Sequence, residues 1–178
     1  VGGKRTAYGG AVLWHGFEAE IEDLTQIRGE PAFERMCLVL HNTSPEGLTI
    51  VNVHLSSNRF AADGDGDTVR LSELETLFAA CPMPDVVVGD FNAAVGGNVY
   101  NSMTARGYVE CGTQACLMMT PRERRVDYVW IHPSTRFESV PPSIEASHFG
   151  LENDSSAQLS DHPPIATRFI STIPRDSP

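Results

Sequence analysis

Val86-Val87-Val88-Gly89-Asp90-Phe91-Asn92-Ala93 is the stretch whose reading decides the fold. Three β-branched residues in succession, bounded by Pro84 before and Gly89 after, read as a short strand covered on both faces. The glycine marks a tight turn at its end. Beyond it the chain presents an acid, a ring and an amide. Side chains alternate along extended backbone, so Asp90 and Asn92 face one site and Phe91 turns back into the core. That pair suits a phosphate site. The carboxylate can hold a hard cation or a water, and the carboxamide can donate to a phosphoryl oxygen. The same residues also fit an Asx-type turn in which both side chains cap backbone.

Outward from this strand, apolar runs alternate with turn clusters. Arg35–His41 and Leu48–Leu55 flank Asn42-Thr43-Ser44-Pro45-Glu46-Gly47 and predict an antiparallel hairpin. Its second strand leads into His54-Leu55-Ser56-Ser57. Asp63-Gly64-Asp65-Gly66-Asp67 lacks the glycine and glutamate that an EF-hand loop needs at its sixth and twelfth positions, where Thr68 and Leu74 stand. It reads as a mobile acidic loop. Asp67 or Thr68 then caps a helix over Val69–Ala80, with Leu71, Leu74, Leu77 and Phe78 on the side that packs against a sheet. Towards the amino terminus, Tyr8–Trp14 reads as a strand. Glu18, Glu20 and Glu22, alternating with Phe17, Ala19 and Ile21, read as a short exposed one.

Downstream, Asn98–Gly107 predicts a short helix with Val99, Met103 and Ala105 inward and Gly107 as terminator. Arg125–Ile131 alternates as a strand, with Val126, Tyr128 and Trp130 on one face and Asp127, Val129 and Ile131 on the other. A carboxylate on an apolar strand face calls for a partner. Pro141–Gln158 is loop-like. Ser160-Asp161-His162-Pro163 precedes a last strand over Ile165–Ile170. Residues 1–170 form one domain in this reading, and 171–178 are a tail.

Composition sets the outer limits. The chain has 178 residues, 41% of them hydrophobic and 20% charged, which is ordinary for a globular domain. No apolar run is long enough to span a membrane, and no signal peptide is visible. The sequence starts at Val1 and not at a methionine, which leaves a trimmed targeting segment open. The location is left open, with an intracellular one favoured. The formal charge of −10 argues against a non-specific nucleic-acid coat. It leaves room for an enzyme that screens a phosphate with a metal ion. Cys37, Cys81, Cys111 and Cys116 show no zinc spacing. Cys111 and Cys116 suit a local disulfide in an oxidising compartment, and buried free thiols are the expected state in a reducing one.

Four constellations stand in chain order: His54 at a strand end, the Asp90/Asn92 pair, Asp127 inside a strand, and Ser160-Asp161-His162 just before one. With their flanking residues, Asn52-Val53-His54-Leu55, Gly89-Asp90-Phe91-Asn92, Arg125-Val126-Asp127-Tyr128 and Ser160-Asp161-His162-Pro163 resemble the successive motifs of the endonuclease/exonuclease/phosphatase (DNase I-like) superfamily. The resemblance runs from about Gly9 to Phe169. It implies a four-layer α-β-β-α sandwich of two packed, mostly antiparallel sheets. It also implies metal-dependent hydrolysis of a phosphodiester, as by a nuclease, with Mg²⁺ or Mn²⁺.

The same resemblance assigns roles. Asp90 positions or deprotonates the attacking water, and Asn92 orients that acid and contacts a phosphoryl oxygen. His162 binds the scissile phosphate with Asp127 on its ring, and His54 serves the phosphate or the leaving group. Asp161 and Asp90 are the candidate metal ligands, and Asn92, His54 and Arg70 the candidate substrate contacts. Nucleic acid is the expected partner, with single-stranded RNA or DNA favoured over a long duplex by the acidic balance. The family's amino-terminal half also supplies an asparagine and a metal-ligating glutamate. Gly9–Leu13 resembles a strand that follows both, and Glu18, Glu20, Glu22 and Glu30 lie on the wrong side of it. The resemblance is therefore to the carboxy-terminal portion of the domain, with the rest expected on a separate segment or subunit or absent from the numbered chain. An inactive member serving as a binding or assembly module is the alternative.

Overall fold

The computed structural model describes residues 11–27, 30–44, 47–60, 66–111, 125–140, 165 and 167–172. Its strands are β1 (Ala19–Asp23), β2 (Gln26–Ile27), β3 (Glu30–Pro31), β4 (Met36–Asn42), β5 (Thr49–His54), β6 (Val86–Asp90), β7 (Val109–Glu110), β8 (Asp127–Ile131), β9 (Phe137–Val140) and β10 (Arg168–Ser171). Helix α1 (Asp67–Ala80) joins β5 to β6, and α2 (Asn98–Ala105) lies between β6 and β7. The main sheet has the order β1-β4-β5-β6-β8-β7, and β9 pairs with β10 in a second, two-stranded sheet. The β5–β6 pair is parallel and its neighbours are antiparallel. A parallel pair needs a long crossover, and α1 is that crossover.

The valine strand sits between two hydrophobic clusters. On one face Val51, Val53, Val87, Tyr128 and Trp130 meet Leu74, Leu77 and Phe78 of α1 and Val99 and Met103 of α2. On the other, Val86, Val129 and Ile131 meet Phe137 of β9 and Phe169 of β10. Val86 and Val87 are both fully buried. Each such side chain contributes roughly 1.5–3 kcal/mol. The arrangement is an α/β sandwich in which helices cover one face of a six-stranded sheet and a smaller sheet covers the other.

The hairpin, the β8 face pattern and the exposed acidic strand β1 follow the sequence reading. Other elements differ. Helix α1 begins at Asp67 with Gly66 as its N-cap and no side-chain cap. Asp67 is drawn instead to the buried Arg70 guanidinium, 2.6 Å away. A Cβ at position 66 would lie 2.3 Å from that same guanidinium, so Gly66 leaves the space it fills. Ala105 is exposed, because the inward stripe of α2 is used up by Val99 and Met103 one turn apart. Ala11–Trp14 is not a strand, Leu13 is 94% exposed, and the edge of the main sheet is β1. Tyr8–Gly10 lie outside the described residues, as do the acidic loop at 61–65 and the loop at 141–158. The last strand starts three residues later than predicted, because Ile165 packs into the second cluster while Arg168–Ser171 pair with β9. Cys37, Cys81 and Cys111 are free thiols.

Gly89 marks the tightest point of the sheet. Its φ is +129°, and a Cβ there would lie 1.9 Å from the Val53 carbonyl oxygen on the neighbouring strand. Gly89→Ala should therefore destabilise the fold by at least about 2 kcal/mol. A urea midpoint within error of the parent would contradict this placement of the strand.

Candidate active site at the ends of the central strands

Parallel neighbours finish at the same edge of a sheet, and an antiparallel neighbour begins there. Register makes this concrete. His54, the last residue of β5, is paired with Asp90, the last of β6, and Asp90 with Asp127, the first of β8. Residues in one cross-strand row share a face. It is the face that carries Val86 and Val129, turned towards the small sheet.

The His54 Nε2 is 3.3 Å from the Asp90 Oδ2. The other carboxylate oxygen, Oδ1, accepts the Asn92 backbone N–H at 2.7 Å. The Asx-type turn that Gly-Asp-Phe-Asn allows is present. One oxygen closes an Asx turn, and that turn aims the other at the imidazole. Asn92 takes a left-handed conformation, φ +49°, which asparagine tolerates better than most residues. Its carboxamide donates to the Leu55 carbonyl at 2.8 Å, and the Leu55 N–H donates to the Asp90 carbonyl at 2.9 Å. The exits of β5 and β6 are thereby stitched together. Phe91 is buried and stands edge-on to Tyr128, as the alternation required.

Arg35 belongs to this group, and the sequence reading missed it. Its Nη1 lies 3.0 Å from the His54 Nε2 and its Nη2 donates to the Ser57 hydroxyl at 3.4 Å. The available signal was its place just before Met36, the cross-strand partner of His54. Arg35 and Asp90 make opposite demands on one ring nitrogen. A bare Nε2 accepts from Arg35, and a protonated one donates to Asp90.

Asp127 lines a cleft of about 430 Å³ with Val88, Gly89, Val129, Ile165 and Thr167. Beside it, burial pushes the Tyr128 phenol up to about 12, so it remains a neutral donor to the Ala93 carbonyl at 2.8 Å. His162 and Asp161 lie outside the described residues. Arg70, taken from sequence as a substrate contact, is 3% exposed. Its guanidinium donates to the Ser56 carbonyl at 3.0 Å and the Asn58 side chain at 2.8 Å, beside its pair with Asp67. It braces the interior instead of facing the cleft. Among the described residues no cluster of three or more His, Cys, Asp or Glu side chains is arranged to hold a metal ion. Asp90 keeps its Oδ2 outside the turn, and Asp161, the other candidate ligand, lies outside the described residues.

The model of the Endonuclease/Exonuclease/phosphatase family matches residues 1–162. The chain belongs to this family. The match takes in His54, Asp90, Asn92, Asp127, Asp161 and His162. Among solved structures, a functionally unknown conserved protein from Enterococcus faecalis is 16% identical, with 71% of this chain and 59% of that one covered and a TM-score of 0.45. The human Nocturnin catalytic domain is 14% identical over 69% of this chain and 50% of its own, with a TM-score of 0.45. Sphingomyelinase C from Streptomyces griseocarneus is 15% identical over 58% and 46%, with a TM-score of 0.41. The chain thus spans 46–59% of the length of these structures. No curated protein matches it.

Asn92 offers a direct check of the stitched strand exits. Asn92→Ala should cost about 1–3 kcal/mol, because the buried Leu55 carbonyl loses its donor and the left-handed backbone remains. Asn92→Gly should cost less, since it relieves the backbone. Equal losses in urea unfolding would show that the backbone conformation is not what asparagine supplies.

Proposed function

We propose that this family member hydrolyses a phosphodiester by in-line attack of water, and that it is a divalent-metal-dependent nuclease acting on single-stranded RNA or DNA. The observation that carries the reading is the Asp90–His54 pair, set side by side at the ends of parallel strands within the family match. Asp90, its orientation fixed by the Asn92 N–H, takes the proton of the attacking water. The water oxygen bonds to phosphorus as the ester oxygen departs. A ring proton of His54 serves a phosphoryl oxygen or the leaving oxygen, and Arg35 beside it adds positive charge where the phosphate gathers negative charge. Asn92 contributes through its backbone, because its carboxamide is held by Leu55. By the family resemblance Asp127 would orient His162, which lies outside the described residues, on the scissile phosphate. A bound Mg²⁺ or Mn²⁺ would neutralise developing charge. Asp161, outside the described residues, would be its further ligand in this chain.

A substrate panel of single-stranded RNA, single-stranded DNA, abasic duplex, phosphotyrosyl-DNA and phosphoinositide tests the proposal. Hydrolysis of a single-stranded nucleic acid should be lost on chelation and restored by Mg²⁺ or Mn²⁺. Asp90→Ala and His54→Ala should each lower turnover at least about a hundredfold. Equal rates in the parent and Asp90→Ala would overturn the reading. Cleavage confined to the phosphoinositide would keep hydrolysis and replace the substrate.

A further inference from the structure

Glu73 is a charged side chain in the apolar interface between α1 and the main sheet, only 4% exposed. Three donors converge on it. Its Oε1 accepts the Ser56 hydroxyl at 2.7 Å and the Glu34 backbone N–H at 3.1 Å, and its Oε2 accepts the Ser56 backbone N–H at 2.9 Å. One turn earlier on α1, Arg70 donates to the Ser56 carbonyl. Ser56 is thus held at its N–H, its hydroxyl and its carbonyl by two residues of one helix.

The two backbone segments that Glu73 joins are those that present the site. Glu34 immediately precedes Arg35, and Ser56 follows His54 by two residues. Arg35 and His54 meet at 3.0 Å between these anchors. We propose that Glu73 is a positioning residue, holding Arg35 and His54 in register for phosphate chemistry through the backbone on either side of them. The kinetic part of this inference rests on the hydrolase reading above. Burial pushes the Glu73 carboxyl above its usual range, and the three donors oppose that push. An apolar residue of similar size would avoid the desolvation, but it would leave the Glu34 and Ser56 N–H groups without their acceptor.

Glu73→Gln tests it. The amide keeps the shape but turns an NH₂ group on a backbone N–H that needs an acceptor. In a crystal structure of the variant, Arg35 Nη1 and His54 Nε2 should move beyond hydrogen-bond reach. Retention of the parent separation overturns the proposal, and this readout holds whether or not the protein hydrolyses anything. Against bis(p-nitrophenyl) phosphate, kcat should fall about ten- to a hundredfold with KM within about twofold. In a His54→Ala background the same change should cost no further activity, as expected for residues acting through one another. Equal losses in both backgrounds would make Glu73 merely structural. A parent protein inactive on every phosphodiester would remove the hydrolase reading, and the Arg35–His54 separation would decide the positioning claim alone. Should Glu73→Gln fail to fold, Glu73→Asp, which keeps the charge but withdraws it by one methylene, carries the same two readouts.

Discussion

The parallel pairing of β5 with β6 is the constraint on which the rest of the structure depends. The valine strand is buried on both faces, so neither face tolerates a slip. A shift of one residue would exchange Val87 for Val86 against the helices and move Asp90 to the wrong side of the sheet. The tight approach of Gly89 to the Val53 carbonyl pins the two strands at the level where it matters. With that register fixed, His54 and Asp90 fall side by side without further specification, and β8 brings Asp127 into the same row. Packing energy contributed by residues far from any chemistry is what places the chemical groups.

Much of this could be read from the sequence because the signals were local. The valine triplet, the turn after Asn42 and the alternation through Arg125–Ile131 each announce their element and its buried face within a few residues. The motif residues His54, Asp90, Asn92 and Asp127 were found because they stand at strand ends. What escaped depended on distant partners. Arg35 acquires meaning only when β4 pairs with β5 and brings it to His54. Arg70 looked like a cation free for substrate, since nothing near it in the chain reveals that α1 lays it against Ser56 and Asn58. Tyr8–Trp14 has a strand's composition, yet its described residues form no strand, and Ala11, Leu13 and Trp14 among them are exposed. Asp67 had the right chemistry for a cap, yet a buried guanidinium competed for it and won.

The Asp90 turn shows that an Asx motif can also orient an acid. A free carboxylate at a strand end would sample several rotamers, each with its own entropy. The Asn92 N–H removes that freedom at one oxygen and leaves the other facing His54. The asparagine accepts a left-handed backbone to bring that N–H into place, and the bond to Leu55 offsets the cost. Local strain, capping and orientation of the acid are one arrangement seen at three scales.

The polar groups buried under α1 follow from the same geometry. A strand that offers its last residue to a site must leave the sheet immediately afterwards. The backbone beyond it then loses its ladder partners while still inside the protein, and every such N–H and C=O must find another. Residues 55 and 56 are that backbone. The Leu55 N–H makes the last bond of the β5–β6 ladder, to the Asp90 carbonyl; beyond it the Leu55 carbonyl turns to Asn92, and Ser56 turns to Glu73 and Arg70. The charged pair on α1 sits where β5 ends, and the apolar residues Leu74, Leu77 and Phe78 continue the helix over the sheet. Buried polar side chains at this one level are the consequence of a strand that ends inside the protein, and they tie the helix to the backbone that carries His54.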